Sequence, residues 1–103
     1  AFQLVAALER YEEEVASLVR TPADSDLYQR VSRRVDELRM YTGPFPSLSV
    51  AWVEVLIRHF ELTHGIWRQQ QSPSPDGLVA QEKSLRAATA RLRQLGVRLV
   101  ANS

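Results

Sequence analysis

At 103 residues, with 45% apolar and 24% charged residues, the chain has the make-up of one ordinary globular domain, long enough to form a core without a metal or disulfide staple. A net charge of +1 gives no bulk pull toward DNA or an anionic membrane, and zero cysteines exclude disulfides and thiolate chemistry. No apolar run reaches the ~20 residues needed to span a bilayer, because Glu54 and Arg58 interrupt the best one.

The lack of cysteine fits a reducing, cytoplasmic setting. Arginine outnumbers lysine 12 to 1, a bias in keeping with a GC-rich bacterial genome. The chain opens at Ala1 with amphipathic pattern at once and no basic-then-apolar leader, which reads as a segment of a longer protein.

From Phe2 to Arg20, Leu4, Leu8, Tyr11, Val15 and Leu18 follow steps of four and three, the seam of a helix packed on another helix. Glu9, Glu13 and Glu14 line its outer side. Glu12 falls between Val5 and Val19 on the wheel, where a rim carboxylate reaching an arginine of a neighbouring helix is preferred over a buried acid or metal ligand. Thr21 as cap and Pro22 at the first helical position predict a second helix from about Pro22 to Tyr41. Its stripe is Leu27, Tyr28, Val31, Val35 and Leu38, with Arg30, Arg33, Arg34 and Glu37 opposite. Gly43 suits a left-handed cap, and Pro44 and Pro46 flank Phe45, which is expected to tuck over the helix ends.

The organising stretch runs from Leu48 to Arg68 and carries both tryptophans. On a helical wheel its apolar residues fill one arc of roughly 220°, about twice what a surface helix needs. Only the edge of Glu54, Arg58 and Glu61 is expected to be wet. Such a helix must be covered on two or three sides, by the chain's other helices or by a second subunit. Arg68 to Gly77, polar with two prolines and a glycine, reads as a mobile connection. Ser74 with Pro75, or Asp76 as cap, starts the last helix, whose seam is Leu78, Leu85, Ala88, Leu92, Leu95 and Leu99. The expected fold is all-α: a four-helix up-down bundle, or an irregular relative, with the third helix most buried.

Few residues carry chemistry. Glu61 and His64 form Glu-x-x-His, the pair that di-iron bundles place inward on two helices, but there is one copy and it faces the wet edge, so no di-metal site is expected and no metal ligand is assigned. The residues after His64 also do not match a phosphorelay pattern. His59 lies inside the apolar arc, as a core histidine satisfied by a backbone carbonyl or by Thr63, or alternatively as a pH-sensitive or ligand-facing group. Neither a nucleophile context nor a glycine-rich phosphate loop is present, so no catalytic residue and no cofactor are assigned. Arg86 and Arg93 flank one side of the last seam and Arg91 and Arg98 the other, a division typical of stems lying over a core. Together with Arg30, Arg33 and Arg34 of the second helix they support a nucleic-acid-binding regulator only as the alternative, and a metal or small-ligand site near His59 or His64 is a second alternative. The pattern as a whole points to a non-enzymatic interaction or self-association module, with a homodimer as one way to cover its excess of apolar surface. Trp52, His59, Trp67 and Phe45 are the expected partner-binding set.

Overall fold

The computed structural model describes residues 2–71 and 75–101. Helix α1, Phe2–Arg20, has the expected bounds and buries Leu4, Leu8, Tyr11, Val15 and Leu18 along its seam. It ends where the Thr21 N–H and hydroxyl both donate to the Ser17 carbonyl, at 3.0 and 2.9 Å. Thr21 is therefore taken up by the end of α1 and does not cap the second helix. Helix α2, Ser25–Thr42, starts later than expected because Asp24 is its cap: extended at φ −77° and ψ 98°, it accepts the Leu27 N–H on Oδ1 at 3.1 Å. Val31, Val35 and Leu38 are buried, Leu27 is partly covered, and Tyr28 stands out at the helix's first turns.

Gly43 corrects another expectation. It sits at φ −51° and ψ −45°, right-handed like the helix before it, and its N–H donates to Arg39 O at 3.0 Å. The chain turns afterwards, where the Phe45 N–H donates to Thr42 O and Pro46–Leu48 forms one 3-10 turn leading into α3, Ser49–Gln71. Phe45 is half-buried and packs on the core beside Leu48, as expected of a loop aromatic sealing helix ends. Helix α4 is Pro75–Ala101. Helical structure thus takes up most of the expected Arg68 to Gly77 connection; Ser74 and the side chain of Asp76 lie outside the described residues.

Four antiparallel neighbours joined by short links make an up-down bundle, 47 Å long and 23 × 17 Å across. Helix α1 packs between α2 and α4, and α4 between α1 and α3, whereas α2 and α3 meet lightly. The α1/α4 approach is close at Gly96, where a β-carbon would sit 3.3 Å from Val5 Cγ2. On α3, Gly65 leaves room for the Gln81 side chain of α4, whose Oε1 occupies the place a β-carbon would take. Ion pairs fasten the rims: Arg34 Nε donates to Glu14 at 2.8 Å and its Nη1 to Glu37 at 2.8 Å, tying α2 to α1. Arg93 reaches Glu12 at 3.3 Å, tying α4 to α1, so Glu12 is the rim carboxylate that its wheel position suggests. Among the described residues no helix is long and apolar enough to cross a membrane.

Helix α3 sends Ala51, Trp52, Val55, His59, Leu62, Thr63 and Ile66 into the interior, the largest buried set of any helix among the described residues. Its broad apolar arc nevertheless does not close. The helical wheel leaves only the Glu54, Arg58 and Glu61 edge to solvent, yet Val50, Val53, Ile57, Phe60 and Trp67 are 48 to 77% exposed. The cause is the arrangement of neighbours: α4 takes one flank of α3, α2 barely touches the other, and no described helix lies against the face turned away from the core.

Candidate protein-interaction surface

The arc of α3 resolves into two rows. Trp52, Val55, His59, Leu62 and Ile66 alternate steps of three and four and face the core. Val50, Val53, Ile57, Phe60, His64 and Trp67 alternate steps of three and four and face outward. Each row has the spacing by which one helix seats its side chains between those of another. Since both rows lie on one helix, α3 can be gripped from two sides, and its own chain supplies one of them.

The outer row is a surface of considerable size. With apolar side chains of about 150–250 Å² when large, exposures of this order leave roughly 500 Å² of seam in water, near the upper end of what a monomer shows as one patch. One flank carries the acidic edge, where Arg58 Nε donates to Glu54 at 3.1 Å and its Nη1 to Glu61 at 2.9 Å. Those two carboxylates, Glu54 first, hold the guanidinium above its ordinary value. At the C-terminal end the His64 ring stacks on Trp67, centroids 5.9 Å apart and planes 25° apart. Trp67 also walls a cleft of about 210 Å³ between the ends of α3 and α2, with Pro22, Ser25, Tyr28 and Gln29. Beside the seam's other end, Val50, Ala51, Glu54 and Arg58 border an open groove of about 490 Å³ whose α4 side is Ser84, Ala87, Ala88 and Arg91.

The residues singled out from the sequence divide between interior and surface. Trp67 lies on the exposed row, and Phe45 is half-buried beneath the α2–α3 connection. Trp52 is 8% and His59 4% exposed, so these two serve the core and offer a partner no accessible face. His59 Nδ1 is 2.8 Å from the Tyr11 hydroxyl, a contact between α1 and α3 across the bundle. Thr63, the partner suggested by spacing, instead donates to the Phe60 carbonyl of its own helix at 3.2 Å. Burial lowers the His59 pKa to about 4 and pushes the Tyr11 hydroxyl far above its ordinary range, so both are neutral at pH 7 and the Tyr O–H can donate to the bare ring nitrogen.

The arginines of α4 do not assemble into one basic face. Arg93 pairs with Glu12 and Arg86 with Glu82, while Arg91 and Arg98 lie on the opposite flank. Glu61 is engaged by Arg58 and His64 by Trp67, so the Glu-x-x-His pair is divided between two other contacts. Among the described residues no group of three or more His, Asp or Glu could hold a metal ion. Val50, Val53, Ile57 and Phe60 are the surface residues that sequence reasoning missed. Their signal was present in the 3–4–3–4–3 spacing, which the continuous apolar arc concealed. Comparison with family models, with curated proteins and with solved structures finds no match for this chain.

Proposed function

We propose that the protein is a non-enzymatic helical association module, and that two copies join through the outer row of α3. The observation that supports this reading is the exposed run Val50, Val53, Ile57, Phe60 and Trp67 at coiled-coil spacing on the helix that is otherwise the most buried. Stable protein interfaces begin near 600 Å² per partner; the seam supplies most of that and its polar flanks the remainder. Zero cysteines and the arginine bias favour a bacterial cytoplasmic setting.

The test is size-exclusion chromatography with light scattering at several concentrations, run on the native sequence and on the double variant I57D/F60D. The native chain is expected to elute with the mass of two copies at high concentration and the variant with the mass of one, both with the same helical circular dichroism. A native chain that stays monomeric throughout overturns the reading.

A further inference from the structure

We infer that the two copies pair their α3 helices antiparallel, with a two-fold axis between Ile57 and Phe60, so that Val50 of one copy meets Trp67 of the other. This inference rests on self-association through the outer row and adds its orientation. The row is palindromic in spacing, three, four, three, four, three, so reversing one helix returns every seam position onto another seam position. It is also graded in size. Antiparallel pairing faces Val50 with Trp67, Val53 with His64 and Ile57 with Phe60, so each of the two largest rings, Phe60 and Trp67, lies against an aliphatic side chain and none meets its own copy. Parallel pairing would set Val50 on Val50 and Trp67 on Trp67, pinching one end and forcing the other apart. The area agrees with a second copy as the occupant: a self-matched seam contributes its roughly 500 Å² twice, and the flanks carry the total to the lower end of stable interfaces. Each copy's acidic edge is already braced by its own Arg58, which bridges Glu54 and Glu61 at the seam's border.

Because the chain has no cysteine, introduced thiols report proximity without background. Chains carrying V50C and chains carrying W67C are mixed under a mild oxidant, and the linked products separated. The two positions lie 17 residues apart on one helix, about 25 Å, whereas a disulfide needs α-carbons within about 7 Å. Antiparallel pairing therefore gives the mixed 50–67 product and loses the 50–50 and 67–67 products; V53C mixed with H64C repeats the test with Trp67 intact. Like-with-like products from an otherwise dimeric protein would overturn the orientation while leaving self-association standing. Absence of any product from a protein that light scattering shows to be monomeric would remove both.

Discussion

Tyr11 and His59 show how a buried polar pair is kept at low cost. Both rings lie in the core, and the 2.8 Å contact gives the Tyr11 hydroxyl and His59 Nδ1 a partner each. Removing one partner strands the other, so Tyr11→Phe is expected to cost about 1–3 kcal/mol in denaturant unfolding. The pair Y11F with H59L should cost less than the sum of the single changes, measured as a double-mutant cycle. The histidine also makes folding pH-dependent. Its pKa of about 4 in the native protein lies below the ordinary 6.5 of an unfolded chain, so the unfolded state takes up the proton first as pH falls. The stabilisation is complete above pH 6.5 and is lost as pH falls toward 4, amounting to about 3 kcal/mol over that window. Unfolding midpoints at pH 7 and pH 4.5 should diverge for the native sequence and much less for His59→Leu. Spacing placed His59 in the core, but Tyr11 as its partner was not legible, because the two are 48 residues apart and meet only across the middle of the bundle, between helices whose main neighbours are others.

At the scale of the helix, periodicity located all four segments, and local chemistry moved their ends. Two residues competed for the start of α2. Thr21 has the right side chain but is bound to Ser17 O, leaving Asp24 as cap. Asp24→Ala should therefore lower stability by about 1 kcal/mol, and Thr21→Val by less, in parallel thermal unfolding experiments. Helix α3 is where the wheel misled. A wheel adds up apolar residues and cannot tell one wide surface from two seams back to back, so Ile57 and Phe60 looked as interior as Val55 and Leu62. The structure separates them: Val55 is 0% and Leu62 1% exposed, against 48% for Ile57 and 57% for Phe60. Acidic substitution should separate them too. At concentrations low enough to keep the chain monomeric, I57D and F60D are expected to shift stability by no more than about 0.5 kcal/mol, while V55D and L62D, burying an unpaired charge, should cost more than about 4 kcal/mol or prevent folding.

For the whole molecule, helix number and up-down order came from the pattern and the short links, but the choice of neighbours did not. Sequence placed the widest helix innermost because four amphipathic helices can cover one another in that way. The Gly43–Leu48 connection instead spends its length on a right-handed turn and a 3-10 turn, and α3 comes to rest mainly on α4 with α2 held lightly. The face of α3 turned away from the core, which no described helix covers, is the one proposed to receive a second copy. The two tryptophans report the two sides of α3 separately, Trp52 from the core and Trp67 from the outer row. Acrylamide should quench Trp67 readily in dilute protein and progressively less as concentration rises, with Trp52 shielded throughout; W67F should abolish the concentration dependence. Self-association through the outer row of α3 is tested most directly by sedimentation equilibrium of the unaltered chain from micromolar to several hundred micromolar. A reversible monomer–dimer equilibrium across that range is the predicted result, and a single species of 11.7 kDa at every concentration would contradict it.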